Sequence, residues 1–403
     1  FVSNGAWLDG NSQDGFRKVI EKEFDAIYVF NLRGNARTSG VLRQKEGGGV
    51  FGLGSRTPIS ITLLVKNPEV KNEKAIIKYH DIGDYLGQKE KLNIISDFSS
   101  ISNPEMKWKT LKPNKEGDWI NQRNDTFKSF ISLGNKNTFF LDNYSPGIMT
   151  QRDTWSYVSS VDKEGNSMRT MINYYNQTLD KSLEFDSSTE KIKVLENHSD
   201  PKEISWTVNL RSDLLKEKKH SYNDKLYRKA LYRPFFKQLL YFDKSFIERP
   251  GLNIKFFPKK ISDENVVISC HGKGGNRRFS VIASDCFIDR NSLEAGAQCF
   301  PLYSYEERTK QTPGLFDQTG ESEYIRHDGV SDFILKRATA QYGKSVTKED
   351  IFYYVYGILH SPDYRETFKN DLKKMLPRLP LVDAPKDFWK FSKAGRALAE
   401  LHI

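Results

Sequence analysis

FVSNGAWLDGNSQDGFRKVIEKEFDAIYVFNLRG, residues Phe1 to Gly34, followed at Thr57 to Lys66 by TPISITLLVK, is the stretch on which the fold class turns. It opens on an apolar strand pattern. A helical pattern then runs from Gln13 to Glu23, with Ser12 or Asp14 as candidate caps and Phe16, Val19, Ile20 and Phe24 recurring at helical spacing. Ala26 to Phe30 and Ile59 to Val65 are short runs rich in β-branched residues, as expected of strands buried on both faces of a sheet. The order strand, helix, strand, loop, strand is α/β grammar.

The loop between the last two strands, RGNARTSGVLRQKEGGGVFGLGSR from Arg33 to Arg56, carries five basic residues and seven glycines. So flexible and cationic a segment is a poor core element. It is expected to face phosphates at the strand ends, where sheets of this kind bind ligands; a disordered surface loop is the alternative.

Working outward, Ala75 to His80 reads as a strand and Ile82 to Ile95 as a helix. Residues 103 to 125 read as a connector, and Phe139 to Ile148 runs into the turn signal Ser145-Pro146-Gly147. Leu214 to Tyr232 is a basic helix candidate. Tyr232 to Phe246, YRPFFKQLLYFDKSF, is dense in aromatics and cations, and VVISCHGKGG, FSVIASDCFIDR and CFPLYSY read as strands parted by turns. From about Ser331 the pattern is helical. Thr347 with Asp350 makes a cap for IFYYVYGILH, Ser361-Pro362 restarts a helix running to the stop at Pro377, and DFWKFSKAGRALAELHI is the last helix.

The net charge of +10 over 403 residues favours a polyanionic partner, because each neutralised phosphate releases a counterion; a protein that merely runs basic is the competing reading. No run of about 18 apolar residues occurs, so no membrane partner is expected. The three cysteines, Cys270, Cys286 and Cys299, form no CxxC, which argues against a disulfide framework or a zinc ribbon and fits a reducing cytoplasm. No metal site is expected. The glycines of GGGVFGLG lead into a strand rather than a helix, so they make no dinucleotide-type turn, and no Walker motif or catalytic triad order is present.

The opening segment resembles the later motifs of γ-type N6-adenine DNA methyltransferases. In its continuation FVSNGAWLDGNSQDGFRKVIEKEFDAIYVFNLRGNARTSG it is similar to the single-polypeptide, type ISP restriction–modification enzymes. GIMTQRDTWSY (Gly147–Tyr157), LYRPFFKQLLYFDKSFIERPG (Leu231–Gly251), AGAQCFPLY (Ala295–Tyr303) and EDIFYYVYGILHSPDYRETFKNDLKKMLPRLPL (Glu349–Leu381) resemble that family's C-terminal specificity region. The resemblance implies an α/β remnant, the C-terminal half of a Rossmann-like methyltransferase sheet, followed by a mixed α+β recognition domain with a helical C-terminal part. The implied boundaries are 1–78 for the methyltransferase portion, 79–146 for a connector, 147–330 for the target-recognition domain and 331–403 for its helical part. The family's cofactor and Asn-Pro-Pro-aromatic motifs are expected upstream of Phe1. The chain is therefore expected to be inactive alone, with S-adenosylmethionine bound only by the full-length enzyme. Its partners would be double-stranded DNA and the methyltransferase half, helicase and nuclease of the same polypeptide, in a monomeric, cytoplasmic bacterial protein.

Through the same resemblance Phe51 matches the aromatic that holds a flipped base, with a hydrophobic anchor for the loop as the bland alternative. Arg33, Arg37, Arg43, Lys45 and Arg56 are expected near phosphates. Arg152, Lys273, Asn276, Arg277 and Arg278, in polar turns, are candidate readers of base edges, a phosphate role being equally open for Arg277 and Arg278. Arg233 is expected to stack on an aromatic as a structural arginine, and Trp155 and Tyr157 to sit in the core. A stand-alone nucleic-acid-binding module without an enzymatic parent, and a basic scaffold, are the alternatives to a recognition piece.

Overall fold

A computed structural model describes residues 1–52, 54–69, 73–134, 140–164, 166–258, 265–308 and 323–403. It is a mixed α/β structure with several small sheets and a helical C-terminal part. The chain divides into two compact units. The first comprises Phe1–Ser129 with Lys273–Phe279 and Glu366–Met375; the second comprises Phe130–Gly272, Ser280–Arg365 and Leu376–Ile403.

Unit 1 is built on five strands, β1 (Val2–Asn4), β2 (Ala26–Arg33), β3 (Ile59–Val65), β4 (Ile76–Asp81) and β5 (Lys109–Leu111), in the order β1-β3-β2-β4-β5. β3 is antiparallel to both β1 and β2, and β2 is parallel to β4. β1, β2 and β4 therefore run the same way, with β3 inserted in reverse. The alternation along β2 sends Ile27 and Val29 to one face, with Trp7, Ile20 and Trp119, and Phe30 and Leu32 toward the other, with Ile82 and Met106. Helix α1 (Asp14–Glu23) covers the first face. The second is covered by the helix Gln88–Phe98, which is α3 because a short helix α2 (Gly40–Glu46) precedes it within the Gly-rich loop.

Three local expectations shift. α1 buries Arg17 and Ile20, whereas Phe16 and Val19 are exposed. Arg17 wins the inner face because its guanidinium donates to the carbonyls of Trp7 (2.6 Å), Gly10 (2.8 Å) and Gly117 (2.7 Å). Neither Ser12 nor Asp14 caps α1; its N-cap is Gln13, which makes no side-chain cap bond. The helix after β4 starts at Gln88 rather than Ile82, whose backbone N–H still donates to the Asn31 carbonyl beside the sheet.

Unit 1 closes around Asp118. Its carboxylate is fully buried and takes Arg123 (2.8 and 3.0 Å), Asn114 (3.0 Å) and Lys374 (3.2 Å), with Arg17 at 4.0 Å. Burial by itself pushes this carboxyl up; hydrogen bonds from Arg123 and Asn114 and the charge of Lys374 outweigh it and hold Asp118 well below the usual carboxylate range. Lys374 also meets Asp9 at 2.9 Å and the Asn121 carbonyl at 2.8 Å. Asp371 accepts from the Asn124 N–H, and Phe368 packs on Phe127. Residues 366–375 are thus part of unit 1, and the expected single helix from Pro362 to Pro377 is two, Pro362–Thr367 and Lys369–Lys374, parted at Phe368.

Unit 2 holds two four-stranded sheets. One orders Phe287–Ile288, Tyr227–Arg233, Phe236–Tyr241 and Tyr157–Val158; the other orders Val281–Ser284, Val267–Cys270, Gln298–Pro301 and Ser145–Pro146. The expected helix over Leu214 to Tyr232 is overturned: a helix ends at Leu215 and Tyr227–Arg233 is a strand. Pro234 disfavours helical backbone at Arg233, and Phe235 (φ +59) completes a tight turn that pairs Tyr227–Arg233 with Phe236–Tyr241. In the segment that runs into the Ser145-Pro146-Gly147 turn signal, Ser145–Pro146 forms a short strand among the described residues, and Phe139 itself lies outside them. Tyr157 is buried and Trp155 packs partly buried. Arg233 lies 3.8 Å over the Tyr232 ring and pairs with buried Asp289 at 2.9 Å, though its side chain is only part-buried. The cysteines are free and buried, and burial pushes the Cys286 thiol up to about 11 and Cys299 to about 12, which makes them poor nucleophiles. The helix Lys348–His360 carries the expected cap: the Asp350 N–H donates to Thr347 Oγ1 at 3.1 Å and the Thr347 N–H to Asp350 Oδ2 at 3.0 Å. It packs on Pro385–His402 closely enough that a Cβ on Gly395 would lie 2.0 Å from the Tyr353 carbonyl.

Two outcomes test this packing. Asp118→Asn leaves buried cations unneutralised and is expected to lower the stability of unit 1 by about 3–5 kcal/mol in urea titrations at neutral pH. Because the folded-state pKa of Asp118 is depressed, its contribution is present above the unfolded carboxylate pKa and fades as pH falls through the folded value; the Asn variant should lose less stability on acidification. Thr347→Ala removes one cap bond and is expected to cost about 1 kcal/mol, read as a lower Tm.

Candidate nucleic-acid interface at the strand ends of unit 1

Because β1, β2 and β4 share a direction, their carboxyl ends, at Asn4, Arg33 and Asp81, lie along one edge of the sheet. A cleft of about 1230 Å³ opens there, lined wholly by residues of unit 1. Among the described residues its lining has seven cationic side chains against three carboxylates. A concave surface of that balance concentrates polyanions.

The floor is a hydrogen-bonded group. Asn31 Nδ2 donates to the Tyr79 hydroxyl (2.9 Å), which donates to Asp81 Oδ2 (3.0 Å), and Arg33 Nε donates to Asp81 Oδ1 (2.6 Å). Burial, and then the Asp81 charge, push the Tyr79 hydroxyl up, so it stays protonated and serves as a fixed donor. Arg33 also pairs with Asp84. Burial works to lower its pKa, but Asp81 and Asp84 outweigh that and raise it. Its backbone sits in the left-handed region (φ +55), and the two ion pairs hold it there.

One rim comes from distant sequence. Lys273 and Asn276 on the HGKGGNRRFS turn, and Lys373 and Lys374, line the cleft with Arg33 and Arg37. The Gly274 N–H donates to the Lys373 carbonyl at 2.8 Å, tying these two segments together, and Asn35 Nδ2 donates to Asn276 Oδ1 at 3.3 Å. The structure therefore brings together Arg33, Arg37, Lys273 and Asn276. Arg277 and Arg278 are exposed on the same turn, and Arg56 is exposed beyond the glycines. Arg43 and Lys45 are engaged locally: Arg43 donates to the Gly47 carbonyl (2.6 Å) and Lys45 pairs with Asp84 (3.3 Å).

Arg152 is a different case. It is buried in unit 2, donating to the Thr207 hydroxyl at 2.5 Å and lying 5.9 Å over the Phe246 ring; burial lowers its pKa to about 10. Inside the protein it has no reach to a base edge. The polar turn around it gave no sign of this, since burial depends on segments some fifty and ninety residues away.

Phe51 is 55% exposed and stands outside the lining of the cleft. The stem below it is fixed. The Gly48 N–H donates to the Leu86 carbonyl (2.9 Å), Gln88 Nε2 to the Val50 carbonyl (3.0 Å), and Lys91 Nζ to the carbonyls of Leu32, Glu46 and Gly48. Gly47 has φ +65, and a Cβ there would fall 2.0 Å from the Leu86 carbonyl, so the close approach requires glycine. The sequence reading missed Lys91, Tyr79, Asp81, Lys109, Lys112 and Lys373. The sheet order and the return of distant segments bring Tyr79, Asp81, Lys109, Lys112 and Lys373 to this edge, while Lys91 lies buried beneath the stem. No group of three metal-binding side chains occurs among the described residues.

Comparison with curated protein sequences gives no match. Among solved structures, the chain is similar over its full length to a nuclease-deletion mutant of the Type ISP restriction-modification enzyme LlaGI in complex with a DNA substrate mimic (34% identity, TM-score 0.82). It is likewise similar to the ATP-dependent Type ISP restriction-modification enzyme LlaBIII bound to DNA (32%, 0.83) and to the protein of a DrdV–DNA complex (29%, 0.82). It spans 29%, 25% and 37% of the lengths of those chains, respectively. Residues 139–403 match the family model of the Type ISP C-terminal specificity domain, and the chain belongs to that family.

Proposed function

We propose that this chain recognises a DNA target within a restriction–modification enzyme and positions the duplex for N6-adenine methylation. The observation that carries the proposal is full-length similarity to enzymes solved on DNA, joined to the cationic cleft at the strand ends. On this reading unit 1 is the closing part of a Rossmann-like methyltransferase sheet. The reversed β3 between β1 and β2, and the ligand-facing carboxyl ends of the parallel strands, support it.

The chemistry assigned to these residues is positioning. Lys273, Lys109, Lys112 and Lys373 would take phosphates, fixing the duplex without reading it. Exposed Arg277 and Arg278 stand beside them as phosphate or base-edge contacts. Phe51, on a fixed stem with its ring exposed, would stack on an adenine taken out of the duplex. Polarising the adenine amino group and delivering the methyl group fall to the rest of the enzyme. S-adenosylmethionine carries a sulfonium charge, which the cationic cleft does not suit, so no step here runs through it.

Binding of duplex DNA should weaken steeply with salt, with a log–log slope near −0.9 for each neutralised phosphate. Lys273→Gln should flatten that slope by about one without changing sequence preference. Salt-insensitive binding would count against the proposal. In the intact enzyme, Phe51→Ala should abolish most adenine methylation while leaving duplex affinity near wild type; methylome sequencing of a host carrying the gene reads out both the modified base and the recognised site.

A further inference from the structure

We infer that Lys91 is the positioning residue that sets where Phe51 stands; the inference rests on the reading of Phe51 just given. Lys91 lies in the first turn of α3, and its side chain is entirely buried. A lysine ammonium has three N–H donors. All three are used, on the carbonyls of Leu32 (2.8 Å), Glu46 (2.7 Å) and Gly48 (2.9 Å). Those acceptors belong to three different segments: the end of β2, the last residue of α2, and the start of the glycine loop.

One cation therefore ties the strand that supplies Arg33 to the stem that carries Phe51. Leu32 immediately precedes Arg33, and Gly48 is three residues from Phe51. The C-terminal carbonyl of a helix is also where a cation is favoured. Gln88, exposed and one turn earlier on α3, adds the bond to Val50, and the Tyr85 N–H adds one to the Lys45 carbonyl at 3.1 Å. Beyond Val50 the described residues Phe51, Gly52, Gly54 and Ser55 are exposed. Among the described residues the polar ties to α3 end at Val50, so the orientation of the ring is inherited from the stem that Lys91 holds.

A merely structural lysine would contribute to folding and nothing more. The apolar contacts of α3, through Ile94, Ile95 and Phe98, do not involve the ammonium, so its loss is expected to loosen the stem before it loosens the core. Lys91 touches no solvent, and hence no phosphate, so duplex affinity should be indifferent to it.

The test uses the intact enzyme and a duplex bearing 2-aminopurine at the methylated adenine of the site found by methylome sequencing. Lys91→Met is expected to lose most of the flipped-base fluorescence and to slow single-turnover methylation by about ten- to a hundred-fold, the scale of a reacting group displaced by an ångström. Its duplex affinity should stay within about twofold of wild type. Amide exchange should quicken at Gly48 to Gly52 and stay unchanged in β2. Phe51→Ala is the parallel arm. If Phe51→Ala loses fluorescence and methylation while Lys91→Met keeps both, Lys91 has no positioning role and the inference is overturned; if Phe51→Ala is itself silent, the reading of Phe51 fails instead. Should Lys91→Met not fold, Gln88→Ala, at an exposed position, carries the test: a partial loss of both signals with unchanged affinity supports the inference, and wild-type behaviour overturns it.

Discussion

A single buried carboxylate, Asp118, organises the first unit. Its oxygens collect Arg123, Asn114 and Lys374, with Arg17 alongside. A carboxylate in that setting is tolerable only because it is paired several times over. The consequence is geometric. Lys374 is 256 positions from Asp118 in sequence, and binding it brings residues 366–375 into unit 1. Lys373 then accepts the Gly274 N–H on its carbonyl, and the turn bearing Lys273 and Asn276 comes with it. The cationic rim of the strand-end cleft is a product of that chain of contacts.

The glycine stem below Phe51 solves a different problem. The glycine run Gly47–Gly49 has no side chains with which to pack the stem, so its backbone is satisfied by donors and acceptors from α3 and the turn before it. A rigid stem with an exposed aromatic tip lowers the entropy lost when the tip meets a planar ligand. The polar floor of Asn31, Tyr79, Asp81 and Arg33 works on the same principle, its groups already bonded to one another. Both features mark unit 1 as pre-organised, which fits the proposed role of positioning a base.

Individual arginines are held in different ways. Arg33 at the cleft is neutralised by Asp81 and Asp84 and holds a backbone turn. Arg152 and Arg233 in unit 2 are enclosed by or stacked on aromatic rings. The charges left facing solvent near the cleft include lysines, whose flexible stems suit phosphates better than base edges.

The sequence by itself determined β2, β3 and α1 of unit 1 and the cap of the helix Lys348–His360. β2, β3 and α1 lie where their β-branched runs and helical spacing put them, and the Thr347–Asp350 cap forms as its spacing dictates, because period and capping are properties of neighbouring residues. The Gly-rich loop was legible as the cationic segment at the strand ends. What only the tertiary structure decided was the set of side chains sharing an edge. Tyr227–Arg233 has a composition that a helix accepts, and the turn at Pro234 and Phe235 made it a strand. Arg152 and Lys273 both sit in polar turns, yet one is interior and the other lines the cleft. Lys91 carries no local signature at all. Burial and convergence depend on residues far apart along the chain, and such distances are set by packing rather than by any window of sequence.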